Sequence, residues 1–596
     1  MAEAVGGPTA GTRPLRIGNC SGFYGDRLSA MREMLEGGPD AAPLDVLTGD
    51  YLAELTMLIL GRDALKDPGL GYARTFVTQL EDCLGLALER GTRLVTNAGG
   101  LNPAGLAERV GEVARGLGLD PQVAHVEGDD LRPRAAELAI AVGALTANAY
   151  LGGKGIAAAL RAGADVVVTG RVTDASLVVG PAVAHHDWSP SAHDELAGAV
   201  VAGHVLECGA QATGGNFSGF ADLPHRDRPL GFPLAEIAAD GSSVITKHAG
   251  TGGAVTVDTV TAQLVYEIQS TRYLNPDATA HLDSVRLRQV AEDRVEISGV
   301  RGEAPPERLK VCVNELGGFR NTAEFVLTGL DVDAKAAWLR AQLEPRLGAA
   351  DVSWTRTARP TPDAATEEAA SCLLRVTARD PRPEPVGRAF TGPAVELALA
   401  SYPGFTMTGP PAQPTPYGVY RAAYVDRSAV THTVVHADRR REVVADPAAY
   451  RTAGPTVRPP APAGGAPAAG GPTRRAPLGT FVHARSGDKG GDANLGLWVA
   501  HGAPAERGGA VPEQRYAGRV AWLTGIVTPQ WVREVVPEAC ELEVEVFALP
   551  KLGGVNVLLR GLLGDGVAAS TRFDPQAKAL GEWVRSRLVD IPEGLL

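Results

Sequence analysis

The chain predicts an α/β protein that passes into a mixed α+β lobe and ends in a small two-layer sandwich. Three observations carry this expectation. Short apolar runs alternate with helical patterns over the first 170 or so residues. From about Ala254 onward strand-type runs dominate. After a Pro/Gly/Ala-rich stretch, residues 477–596 read strand, strand, helix twice over.

Taken in order, 15–20 is an apolar strand ending in Ser21-Gly22, and 26–35 is helical. A second strand is expected at 44–47, an amphipathic helix at 76–90 and a buried-type strand at 92–96. Helix 103–117, strand 123–126 and helix 156–162 follow, then the clearest strand of all, D-V-V-V-T at 165–169. Strands alternating with helices imply a mostly parallel sheet with helical cover. A doubly wound sheet and a barrel are both compatible with it. Residues 13–253 are therefore read as an N-terminal α/β lobe.

The mixed α+β lobe, 254–450, carries strand patterns at 254–260, 262–268, 284–289, 294–298, 310–313, 373–377, 384–402, 419–425 and 431–435, with a helix at 333–343. The run 451–476 is a Pro/Gly/Ala-rich linker with almost nothing to bury. Beyond it come strands 478–484 and 495–500, helix 518–536, strands 542–548 and 554–560, and helix 575–588. Two helices on one sheet suggest a ferredoxin-like sandwich over 477–596.

Composition narrows the function. Of 596 residues, 44% are hydrophobic and 21% charged, which fits a globular chain of several domains. A net charge of −12 argues against nucleic-acid binding, which needs a basic face. Six scattered cysteines form no C-x-x-C and read as reduced, mostly buried thiols. No segment has the apolar length of a membrane span, and residues 1–12 lack the features of a signal peptide, so a cytoplasmic location is expected. The Ala, Gly, Arg and Pro bias resembles a high-GC bacterial genome.

Five strand ends in the first lobe finish in polar, Gly-containing turns: 19–22, 48–50, 96–100, 127–130 and 169–174. Ligands of parallel sheets sit outside the carboxyl ends of the strands, so these tips predict one pocket. T-G-R-V-T-D at 169–174 is the best single candidate. Arg171 suits a carboxylate or phosphate, and Asp174 suits a base. Gly-rich turns at 151–155, at 212–217 (with Gly214, Gly215 and Asn216) and at 248–253 suit anions. None is a P-loop, and neither a G-x-G-x-x-G after a strand nor a G-x-S-x-G elbow occurs. His248 and Glu207-Cys208 are acid–base candidates. His432 and His436 share a strand face without an evident third ligand, so no metal is expected. The segment 485–496 packs Arg485, Lys489, Asp488, Asp492 and four glycines into what reads as a short anion-binding turn.

Several stretches resemble one known family: R-I-G-N-C-S-G-F-Y-G-D at 16–26, L-T-G-D-Y-L-A-E at 47–54, T-N-A-G-G-L-N-P at 96–103 and V-T-G-R-V-T-D-A-S at 168–176. A-G-H-V-L-E-C-G-A-Q-A-T-G-G-N-F at 202–217 and A-R-S-G-D-K-G-G-D-A-N-L-G at 484–496 complete the set. Together they resemble the acyclic terpene utilisation (AtuA) family, a large N-terminal domain joined to a ferredoxin-fold C-terminal one. The resemblance implies a place in catabolism of citronellol- and geraniol-type compounds through acyl-CoA intermediates, beside an acyl-CoA carboxylase and hydratases. It supplies no catalytic residue.

The leading expectation is an enzyme of hydratase, lyase or acyl-transfer type acting on an acyl-CoA or carboxylate substrate. Asp174, Glu207 or His248 would move a proton, and Asn97 with Gly99 and Gly100 would steady charge on a carbonyl. Arg171, Arg485, Asp488, Lys489, Gly214, Gly215 and Asn216 would bind substrate. No cofactor is implied beyond a CoA thioester as substrate. Two other roles fit the sequence: a non-catalytic partner of acyl-CoA carboxylase subunits, and a tailoring enzyme of natural-product biosynthesis. A homo-oligomer is expected in each case.

Overall fold

The computed structural model describes residues 13–38, 41–451, 471–502 and 512–596. Most of the expected linker lies outside the described residues, but its end, Thr473–Pro477, is a strand paired antiparallel with Leu588–Pro592. The chain forms two compact units. One comprises Met1–Asn314, Tyr420–Val567 and Gln576–Leu596, the other Glu315–Val419 and Ala568–Pro575. The division thus does not fall at the expected 253/254 boundary, and the C-terminal module shares a unit with the N-terminal lobe.

The first unit is built on an open sheet of eleven strands, so the barrel alternative is excluded. Its centre is parallel, in the spatial order Leu15–Asn19, Val46–Gly49, Arg93–Thr96, Val166–Thr169, Val123–Glu127. Antiparallel strands extend both sides, beginning with Pro233–Ile237 on one and Thr433–Val435 on the other. "Mostly parallel" therefore holds for the centre and not for the whole sheet. Alternate residues of one strand feed two cores, as the period of two requires. Val167 joins Ile156, Leu160 and Val179 on one face. Val166 and Val168 join Phe76, Leu80 and Leu106 on the other.

Two expected strand regions are helical. Residues 254–268 contain the helix Val257–Leu264, opened by a capping box between Thr256 and Thr259. Its Val and Thr residues mimic a strand, but the reciprocal side-chain caps satisfy the first-turn N–H groups and fix a helix instead. The 384–402 run contains the helix Arg388–Glu396.

The C-terminal module is a four-stranded antiparallel sheet in the order Val482–Lys489, Asp492–Val499, Gly554–Leu559, Val544–Leu549. The helix expected at 518–536 is two helices, Glu513–Ile526 and Pro529–Val535; Thr528 caps the second and Pro529 begins it. One face of the sheet (Ala493, Leu495, Leu497, Val499) packs on these helices. The opposite face lies on the large lobe. Trp498 Nε1 donates to Asp258 Oδ1 at 3.0 Å, Asn494 Oδ1 accepts from Glu267 N at 2.8 Å, and Asn556 Nδ2 donates to the Ile268 carbonyl at 3.2 Å. Gly487 and Gly496 stand where a Cβ would collide with Tyr266 and Val265.

In the second unit, residues 319–328 of the long strand Arg308–Thr328 pair with Ser371–Asp380, which pairs with Asp351–Arg356. Phe325, Leu339, Val376, Phe390 and Tyr402 form its core.

Candidate functional site

The carboxyl ends of the parallel strands interlock. Asp50 N donates to the Ser21 carbonyl, tying the first two tips together. Asn97 Nδ2 donates to Asp50 Oδ1 at 2.6 Å, and Asn97 Oδ1 accepts from Tyr51 N at 2.8 Å. Asn19 Nδ2 donates to the carbonyls of Leu206 (2.7 Å) and Glu207 (3.1 Å), joining the first tip to the end of the helix His193–Leu206. Asp129 Oδ2 accepts from Arg171 N and from Asn148 Nδ2, both at 2.8 Å, and burial pushes its carboxyl up to about 6.

Arg171 is 2% exposed. Its Nη1 donates to Asp174 Oδ1 at 2.8 Å and to the Leu52 carbonyl at 3.0 Å, and its Cζ lies 4.3 Å over the Tyr150 ring. Burial opposes its charge, and Asp174, Tyr150 and Glu54 outweigh that opposition. Lys310 lies 3.5 Å from Glu54 Oε1 and 4.9 Å over the same tyrosine. Burial would raise the Glu54 carboxyl, but Lys310, Lys489 and Arg171 bring it down to about 2. Lys489 arrives from the C-terminal module. Burial works against its ammonium, while Glu267, Glu54 and Asp174 keep it charged.

Other acids of the cluster are pushed toward their protonated form. Burial and the charge of Asp174 raise Asp50 well above the usual carboxylate range. Burial, then Asp174 and Glu267, do the same to Glu207. Burial, then Glu267 and Glu54, push Asp488 up to about 8. The site therefore offers carboxylic acids as proton donors beside fixed cations.

Glu207 Oε1 pairs with His204 Nδ1 at 2.9 Å, one helical turn away. Burial and Lys489 lower this histidine to about 4, so the ring is neutral. The outer atoms of the pair, His204 Nε2 and Glu207 Oε2, are buried without a hydrogen-bond partner. So are Arg171 Nε, Arg485 Nε and Nη2, and Tyr420 Oη. Buried polar atoms are ordinarily paired. A concentration of unpaired ones at one edge of a sheet marks a place for a ligand.

Arg171, Asp174, Glu207, Asp488 and Lys489 thus belong to one electrostatic cluster. Asn97 is a positioning residue for Asp50, with both ends of its amide occupied. The remaining candidates are placed otherwise. His248 bonds the Met34 carbonyl through Nε2 and feels Arg16 and Arg90, not the cluster. Gly99 permits close approach of the Thr169 carbonyl, and Gly100 (φ +53) donates its N–H to Asn97 O. The N–H groups of Gly214 and Gly215 are used by the carbonyls of Gln211 and Ala210, and Asn216 contributes its carbonyl to Arg485 Nη1 at 2.8 Å. The 151–155 turn already holds an internal anion, since Gly153 N donates to Asp277 Oδ2 at 2.7 Å. His436 pairs with Glu442 while His432 lies against Gly155. The 485–496 segment is not an open turn but a β-hairpin, with Lys489 opposite Asp492 and only Gly490 and Gly491 at the bend.

Sequence reasoning placed Asp50 at one of the converging strand tips without a role, and missed Glu54, His204, Glu267, Lys310, Tyr150 and Tyr420 as site residues. His204 was within reach, because it stands three residues before Glu207 on a helix, where side chains meet. Lys310 and Tyr420 carry no local signal. Among the described residues no three His, Cys, Asp or Glu are grouped to hold a metal ion. No helix among them is long and apolar enough to cross a membrane. A hollow of about 390 Å³ lies at the opposite, amino edge of the sheet, lined by Arg13, Leu15, Asp45, Val46, Arg93 and His185 among others.

The family described as acyclic terpene utilisation family protein AtuA matches residues 15–436, and the AtuA ferredoxin-like domain matches residues 476–590. No curated protein and no solved structure matches the chain significantly. The chain belongs to the AtuA family, and its C-terminal module is that family's ferredoxin-like domain.

Proposed function

We propose that this AtuA-family chain is an acid–base enzyme of the hydratase or lyase type, acting on an acyl substrate that carries a carboxylate or thioester. One observation carries the reading: the His204–Glu207 pair presents two buried, unpaired atoms amid Asp174, Arg171 and Lys489. Burial, Asp174 and Glu267 raise the Glu207 carboxyl well above the usual carboxylate range, the direction a general acid needs. Asp174, 28% exposed and braced by Arg171, is the base in this reading.

In the hydration direction, Asp174 takes a proton from water as its oxygen adds to the β-carbon of an unsaturated acyl group. Glu207 delivers its proton to the α-carbon, and the reverse path releases water. Arg171 and Lys489 stabilise the negative charge that gathers on the acyl oxygen.

The test is a panel of unsaturated acyl-CoA thioesters and free acids incubated in heavy-oxygen water and read by mass spectrometry. The expected result is incorporation of label into at least one member. In Glu207→Gln the rate falls ~100-fold or more, with loss of the decline at high pH that titration of Glu207 produces. If no member gains or loses water, or if Glu207→Gln turns over at the wild-type rate, the assignment is wrong.

A further inference from the structure

Arg485 stands apart from the other charged groups of the cluster. It is 5% exposed, on the hairpin strand that faces the large lobe. Its Nη1 is anchored to the Asn216 carbonyl at 2.8 Å, and its Cζ stacks 4.2 Å over the Tyr266 ring. These two contacts fix the plane of the guanidinium. They leave Nε and Nη2 buried and without a partner. Those two N–H groups lie side by side on one edge, the edge that grips a carboxylate with two parallel hydrogen bonds.

Among the described residues no carboxylate pairs with Arg485. Arg171 and Arg427, equally buried, each hold one, Asp174 at 2.8 Å and Asp446 at 3.3 Å. A desolvated guanidinium without a counter-ion is costly to maintain, and one held rigid by a carbonyl and a ring is prepared for an anion it does not yet have. We propose that the Nε–Nη2 edge of Arg485 is the carboxylate fork of this site, and that its ligand is an organic acid with a free carboxylate.

The geometry of this edge suits a carboxylate, and phosphate is the competitor that the test includes. Arg485 acts electrostatically on Cys208 and Tyr266. Each is the chain neighbour of an acid of the cluster, Glu207 and Glu267. The two parallel N–H groups of one cation match a planar monoanion in both charge and shape. This inference deepens the acid–base reading above and takes its location from it.

The experiment is calorimetric titration of the full chain with butyrate, hexanoate and octanoate, with their methyl esters, and with inorganic phosphate. Wild type is expected to bind at least one carboxylate and none of the esters, with phosphate weaker than that carboxylate. Arg485→Gln should weaken carboxylate binding ~30-fold or more, and Arg485→Lys, which keeps the charge but loses the fork, by ~10-fold. Equal binding of acid and ester, no binding of any carboxylate, phosphate binding tighter than carboxylate, or undiminished binding by Arg485→Gln would each overturn the proposal. If the variants do not fold, the acid-against-ester comparison on wild type decides alone. None of these outcomes bears on the Glu207→Gln turnover test, so the two readings fail separately.

Discussion

The two edges of the central sheet are built to opposite rules. At the amino edge there is a hollow, and the charged side chains that line it have partners, although Arg16 Nε and His186 Nδ1 nearby are buried without one. Arg13 clasps Asp45, Arg93 Nη1 donates to the Leu160 carbonyl, and His185 Nε2 bonds the Arg13 carbonyl. At the carboxyl edge the acids crowd one another, some keep their protons, and donors and acceptors are buried unpaired. The difference teaches that a cavity and a site are separate things. Unpaired polarity at the carboxyl edge costs stability, and a fold keeps such a cost where function requires it.

The largest expected effect comes from breaking the carboxyl edge at its most buried ion pair. Arg171→Met leaves Asp174 without its partner and removes a cation that Glu54, Asp50 and Glu207 all feel. Loss of one member of a buried pair typically costs about 3–5 kcal/mol. Urea unfolding should show a loss of that order, and Arg171→Met combined with Asp174→Leu should recover part of it. A single-variant loss under about 1 kcal/mol would mean the pair is solvated and the contrast between the edges is overstated.

Next in size is the contact that closes the carboxyl edge. Gly496→Val puts a side chain into Val265 on the face where the ferredoxin-like sheet meets the lobe. Overpacking of this kind costs about 1–3 kcal/mol. The variant should be cleaved faster in limited proteolysis between the lobe and the C-terminal module, and should lose the carboxylate binding assigned to Arg485. Gly116→Ala, where nothing lies within 4 Å, should do neither.

How far the sequence revealed this edge depends on where the causes are local. The tips at 96–100 and 169–174 were legible because polar residues follow short apolar strands, and topology alone sends such ends to one edge. The glycines of 485–496 were misread as an anion turn. For two of the four the cause is tertiary: Tyr266 presses on Gly487 and Val265 on Gly496, and no local pattern encodes that. The Val257–Leu264 helix was hidden by β-branched residues whose strand preference is overridden by a cap. Lys310 and Tyr420 reach the cluster from distant strands, so only the fold assembles them. His204 was the one missed residue with a readable cue.

Smaller effects come from pH. Asp488 in the folded chain holds its proton to about 8, against an ordinary value of 3.8. Between these values the folded state binds more protons than the unfolded one, so this residue lowers stability progressively as pH rises through that window. Asp488→Asn removes the effect. The variant should match wild type near pH 4 and exceed it by a margin that grows as pH rises to 8, with about 5 kcal/mol as the upper bound. Glu54 works in the opposite sense. Its stabilisation is present above its unfolded value of 4.5 and is lost as pH falls toward about 2. Parallel pH profiles for wild type and Asp488→Asn would show that burial does not hold the proton.

The smallest effect is the one that tests the comparison from its other side. Arg13 and Asp45 are joined by two short hydrogen bonds, at 2.7 and 2.5 Å, and by geometry alone resemble the Arg171–Asp174 pair. The arginine is 65% exposed, however, and Asp45 also accepts from Arg16 N at 2.9 Å. Water competes for the guanidinium, and the carboxylate keeps a partner when Arg13 is removed. Arg13→Ala should therefore change unfolding free energy by no more than about 0.5 kcal/mol, and should leave both turnover and carboxylate binding untouched. A loss comparable to that of Arg171→Met would make the amino edge as dependent on its charges as the carboxyl edge, and would reopen the hollow there as a site.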